Sequence, residues 1–126
     1  MEKQTKIFLV ENDLLSFDLY RRELQQMGFE NIFLFLNGTT CLNNLSQKPE
    51  IIFLGHNIDD CTKLEVLKKI KCFDLGIYVI MVSVQENIQF AMNALKIGAF
   101  DFITKGHDTT SSIKKVVKRI YAMKNN

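Results

Sequence analysis

The sequence has no tryptophan, one proline, six glycines, two histidines and three cysteines in 126 residues. Each shortage excludes something. With no Gly/Ser/Pro-rich tract there is no linker to separate a second domain, so residues 1–126 read as one domain, long enough for a single core. Cys41, Cys61 and Cys72 are odd in number and form no Cys-x-x-Cys pair. That argues against a disulfide framework and a structural zinc site, and fits a reducing cytosol. His56 and His107 lack a second ligand at metal spacing and read as loop histidines. No apolar run approaches the roughly 20 residues of a membrane span, and the first one is too short for a signal peptide. The expectation is a cytoplasmic protein without a membrane partner. A net charge of +2 makes no general case for nucleic acid either. The groups Lys68-Lys69-Lys71 and Lys114-Lys115-Lys118-Arg119 read as solvated helix faces.

What is present is a rhythm. Five short apolar runs begin at Ile7, Ile32, Ile51, Ile77 and Phe100. Ile7-Phe8-Leu9-Val10 and Ile77 to Val82 are continuous rather than alternating, as strands buried on both faces are. Asp101 between Phe100 and Phe102 breaks the last run and suits an edge strand. Helical patterns fill the intervals. Asp13 reads as an N-cap, followed by Phe17, Tyr20, Leu24 and Met27 on one face and a stop at Gly28. Thr39 or Thr40 opens a short second helix. Asp59 or Asp60 opens a third with Leu64, Leu67 and Ile70 on one face. Ile88, Ala91 and Leu95 line a fourth that closes at Gly98, and Ile113, Val116, Val117 and Ile120 a fifth. Strand–helix repeated five times implies an α/β sandwich with a parallel sheet and right-handed crossovers.

In such sheets ligands bind beyond the carboxyl ends of the strands. Four polar groups fall there: Glu11-Asn12-Asp13, Gly55-His56-Asn57, Ser83 and Lys105. Each alone is weak; their joint placement after four strands is not. With the stretches Lys6 to Asp13, Leu64 to Ile70 and Ala94 to Lys105, the chain resembles the response-regulator receiver family along essentially its whole length. The resemblance implies a three-layer, flavodoxin-like (βα)5 sandwich with strand order 2-1-3-4-5. It also implies a set of roles. Glu11 and Asn12 stand where the family keeps an acidic pair that holds magnesium, and Asn57 where a backbone carbonyl completes the metal shell. Gly55 stands at the phosphoacceptor aspartate. Ser83 matches the hydroxyl that bonds the phosphoryl group, Phe102 the aromatic switch, and Lys105 the lysine that pairs with phosphate.

The departures decide the expected function. Gly55 has no side chain to phosphorylate, and Asn12 replaces a carboxylate with an amide. Magnesium prefers hard anionic oxygens, so binding is expected to be weak at most, and no other cofactor is implied. Asp59 and Lys63 replace the usual proline and glycine of the following loop, whose path should therefore differ. Lys105, without its usual partner, should turn to Glu11 or to an anion near Ser83. The expected role is a non-enzymatic interaction module in two-component phosphorelay signalling. Its partner would be a histidine kinase, an output domain or another regulator. The resemblance places the contact surface, including a homodimer, on the fourth helix, fifth strand and fifth helix, through Phe90, Ile97, Asp101, Lys115 and Arg119. One rival keeps phosphorylation alive through Asp13, Asp59 or Asp60, although the latter two read more simply as helix caps. Another, a flavodoxin-like flavin or nucleotide binder, is disfavoured because Glu11-Asn12-Asp13 lacks the glycines that admit a phosphate.

Overall fold

Five parallel strands form the centre of the protein in the order β2-β1-β3-β4-β5. They are β1 (Lys6–Val10), β2 (Asn31–Phe35), β3 (Ile51–Leu54), β4 (Tyr78–Ser83) and β5 (Asp101–Thr104). The helices between them are α1 (Leu14–Gln26), α2 (Gly38–Leu42), α3 (Asp60–Phe73), α4 (Ile88–Ile97) and α5 (Thr109–Lys124), with a short 3-10 turn at Leu45–Gln47. The computed structural model describes residues 4–55, 60–84, 87–106 and 108–124, and only the backbone of residues 60 and 61. Expectations attached to His56, Asn57, Asp59 and His107, and to the side chains of Asp60 and Cys61, lie outside the described residues.

Strand composition explains the layering. Every residue of β3 is buried, as are Ile7 to Val10 and Val79 to Ser83. Side chains alternate across a strand, so each strand serves two cores. Phe8, Val10, Ile52, Leu54, Val79 and Met81 pack under α2, α3 and α4. Ile7, Leu9, Ile51, Phe53, Ile80 and Val82 pack under α1 and α5. The outer strands β2 and β5 are half-buried, in keeping with the alternation read at Asp101.

The helices follow the expected faces with two exceptions. Tyr20 and Leu24 of α1, Leu67 and Ile70 of α3, and the apolar stripe of α5 are all buried. Asp13 caps α1, its carboxylate accepting from Leu15 N–H at 3.3 Å and Ser16 Oγ–H at 2.6 Å. The α2 helix begins earlier than Thr39, because Asn37 is its cap and accepts from Thr40 N–H at 2.9 Å. The second exception is α4, where the assignment of faces is reversed. Phe90 is 4% exposed and, with Ala94 and the half-buried Ile97, faces the core; Ile88 is 75% and Leu95 50% exposed. Phe90 is therefore no surface contact residue. The physical reason is that only Gln89, Asn93 and Lys96 mark a polar side, which leaves an apolar arc wider than the core contact needs. Packing under β4 and β5 chooses the phase instead.

Candidate functional site

Parallel pairing gathers the carboxyl ends of β1, β3, β4 and β5 on one rim. The ladder extends past the strands there: Gly55 N–H donates to Val10 C=O at 2.7 Å, and Lys105 N–H to Ser83 C=O at 2.6 Å. Gly55 is thereby fixed beside the end of β1, next to Glu11, and Lys105 beside Ser83. Glu11, Gly55 and Ser83 are buried, Asn12 is exposed, and Lys105 is partly covered.

Glu11 occupies the interior of this rim. Its Oε2 accepts from Asp13 N–H at 3.0 Å, which folds the carboxylate back over its own loop. A methyl group placed on Gly55 would lie 2.8 Å from Glu11 Cδ, closer still to Glu11 Oε1, and 2.5 Å from the Val10 carbonyl oxygen. Ordinary contacts between such atoms are about 3.5 Å. The missing side chain is thus not an open slot; Glu11 and the first strand have closed over it.

One ion pair is described in the rim. Lys105 Nζ lies 3.6 Å from Asp13 Oδ2, so among the described residues it pairs with Asp13, where Glu11 or an anion beside Ser83 was expected. The reason is local. Glu11 is turned inward by its bond to Asp13 N–H, whereas the Asp13 carboxylate stays partly exposed and in reach. Burial keeps the Tyr20 hydroxyl protonated well above the usual phenol range, and the negative charge of Glu11 pushes in the same direction.

Lys63 is the residue whose role the sequence did not reveal. It is 1% exposed, and its Nζ donates to Val82 C=O at 2.8 Å. The same ammonium lies 5.4 Å from the centre of the Phe90 ring. Phe90 in turn packs edge-on against Phe102, with ring centres 5.7 Å apart. The only hint in sequence was a lysine where the receiver family has glycine. Ile97, Asp101, Lys115 and Arg119 lie on or beside α4, β5 and α5 as expected. Arg119 pairs with Asp101 at 2.5 Å, and Lys115 is exposed.

Residues 7–118 match the response regulator receiver domain. The chain belongs to that family. It is 28% identical over 120 residues to the transcriptional regulatory protein CrdR of Helicobacter pylori, covering 94% of this chain and 55% of that protein. It is 24% identical over 122 residues to sporulation initiation phosphotransferase F of Bacillus subtilis, covering 96% of this chain and 97% of that one. A two-component response regulator from Clostridium difficile superposes with a TM-score of 0.85 at 24% identity, over 98% of this chain and 100% of that chain. The chain spans about half of the length of the Helicobacter relative and less of several others. Receiver domains act in two-component signalling through kinases, output domains or other regulators.

A receiver of this family implies magnesium, and the described donors do not suit it. Glu11 is bonded back to its own loop, Asp13 is engaged by Leu15, Ser16 and Lys105, and Gly55 offers no side chain. Among the described residues no three His, Cys, Asp or Glu side chains converge as metal ligands. Magnesium needs a near-octahedral oxygen shell.

Proposed function

We propose that this receiver domain works as a protein-interaction module that takes no phosphoryl group at Gly55 and binds magnesium weakly at most. The observation that carries this is the closure of Glu11 and Val10 C=O over the position of the missing side chain. An acceptor needs both an oxygen nucleophile and room for a phosphoryl group, and this position has neither. The rival acceptor Asp13 is already engaged, since its carboxylate caps α1 and faces Lys105. Asp59 and Asp60 remain the alternatives to be tested.

The contact surface of such a module follows from the phase of α4. Ile88, Met92 and Leu95 form an exposed apolar stripe on that helix. Asp101, Arg119 and Lys115, on the adjoining β5 and α5, supply a charged rim. An apolar centre with a polar rim suits a modest interface with another regulator, an output domain, a histidine kinase or a second copy. Ser83 and Phe102, the positions through which phosphorylation would bias this surface, then serve to hold it in one state.

Intact-mass analysis after incubation with acetyl phosphate and magnesium tests the reading. The expected spectrum shows no labile phosphoryl adduct. An adduct that maps to Asp13, Asp59 or Asp60 overturns the reading in favour of an active phosphorelay.

A further inference from the structure

Lysine is almost never fully buried unless paired, and burying an ammonium costs several kcal/mol. Lys63 sits in the first turn of α3, from which its flexible stem could easily carry the charge to water. It runs inward instead. Its ammonium is met there by the Val82 carbonyl at 2.8 Å and the Phe90 ring at 5.4 Å. What it adds is position.

That position is informative. Tyr78 N–H donates to Glu50 C=O, so the even-numbered residues of β4 direct their backbone groups toward β3. Leu54 pairs with Met81, which places Val82 on the rung beside Gly55. Ser83 C=O faces the other way and receives Lys105 N–H. The two carbonyls that end β4 are therefore both claimed, one by the Lys63 ammonium and one by the start of the loop after β5. From Val82 the ammonium also reaches the Phe90 ring, and Phe90 holds Phe102. One charged group thus touches α3, β4 and α4 and, through one ring, β5.

We propose that Lys63 is an internal latch: its ammonium fixes the α4–β5 face in a single arrangement, in place of a signal delivered by phosphorylation. This rests on the reading of the chain as a receiver that is not phosphorylated, and it adds the means by which the surface is held. The bond to Val82 anchors the end of β4 beside Ser83. The contact with Phe90 keeps that ring under Phe102 and so keeps α4 from turning on its axis.

The test is hydrogen exchange on the full chain and on Lys63→Met, which keeps the stem and removes the charge. Hydrogen bonds to a charged group are among the stronger ones, and local opening is read directly in amide protection. In Lys63→Met the amides of Phe90 and Ala91 should exchange about tenfold to a hundredfold faster, while those of Val116 and Val117 in α5 stay near parent values. Equal protection in α4, or an equal loss in α5, overturns the latch. If the variant does not fold, the parent decides alone. Its Lys63 ammonium protons should be visible by NMR as a slowly exchanging signal, and their absence refutes the proposal. A phosphoryl adduct on the parent would sink the underlying reading without bearing on either measurement.

Discussion

Gly55→Ala is the smallest change that interrogates the closed rim. The added methyl would meet Val10 C=O at 2.5 Å and Glu11 Cδ at 2.8 Å, with Glu11 Oε1 nearer still. Against an ordinary separation of about 3.5 Å, that is an overlap of about 1 Å. One of the two neighbours can move: Glu11 is a side chain, although a buried one held by Asp13 N–H. The other cannot, since Val10 C=O is bonded to Gly55 N–H in the sheet. Overpacking of this kind costs about 1–3 kcal/mol, and the stiffer unfolded chain of alanine returns about 0.4–1 kcal/mol. A net loss of about 0.5–2 kcal/mol should lower Tm by about 2–8 °C for a domain of this size. Gly55→Asp should lose more, because it adds a carboxylate beside buried Glu11. Combining Gly55→Ala with Glu11→Ala should recover part of the loss, with a coupling of about 0.5–3 kcal/mol. Calorimetry reads all three. A Gly55→Ala protein that melts at or above the parent refutes the closed-rim geometry. A normal loss that Glu11→Ala does not relieve would mean that the Val10 carbonyl alone fills the space.

Two further outcomes follow from exposure and charge. Cys41 is fully buried and burial pushes its thiol up to about 12, whereas Cys72 is exposed, so native iodoacetamide labelling at mildly alkaline pH should modify Cys72 and spare Cys41. Because Cys41 keeps its proton in the fold after the unfolded chain has lost it, its contribution to stability is full below the free thiol's 9.0 and declines as pH rises toward about 12. The double change Ile88→Ser with Leu95→Ser should abolish self-association or partner capture at unchanged Tm, as read by analytical ultracentrifugation and melting. If association persists, the working surface is not α4.

The fold was legible because five buried strands and their helices leave strong, repeated signals. Continuous runs such as Ile77 to Val82 need no phase information: any arrangement that buries both faces will serve. The faces of α1, α3 and α5 were legible for the complementary reason, since charged residues interrupt them on one side. In α4 the polar side is only Gln89, Asn93 and Lys96, and the apolar arc left over is too wide to fix the buried face. Ile88, Phe90, Met92, Leu95 and Ile97 could each face the core by composition, and the choice of Phe90 depends on β5 placing Phe102 beneath it. Lys63 was illegible for a different reason. A lysine in a helix among other lysines reads as solvated, and only the carbonyl at the end of β4 gives its ammonium somewhere else to go.

The rim also shows why a site stripped of its acceptor need not be an empty metal site. A receiver that binds magnesium concentrates carboxylates and lets the cation offset their repulsion. Here the described charged side chains of the rim are Glu11 and Asp13 on one side, Lys63 and Lys105 on the other. Asp13 and Lys105 lie within ion-pair range, and Lys63 lies on the neighbouring carbonyl of β4. Among the described side chains, two cations thus accompany two carboxylates. Any magnesium entering beside these residues would have to displace bonds already made to Glu11 and Asp13. Restoring aspartate at Gly55 alone would therefore recreate the nucleophile without recreating the field that it needs. Lys63 would still hold the end of β4, and Glu11 would still fill the space the phosphoryl group requires.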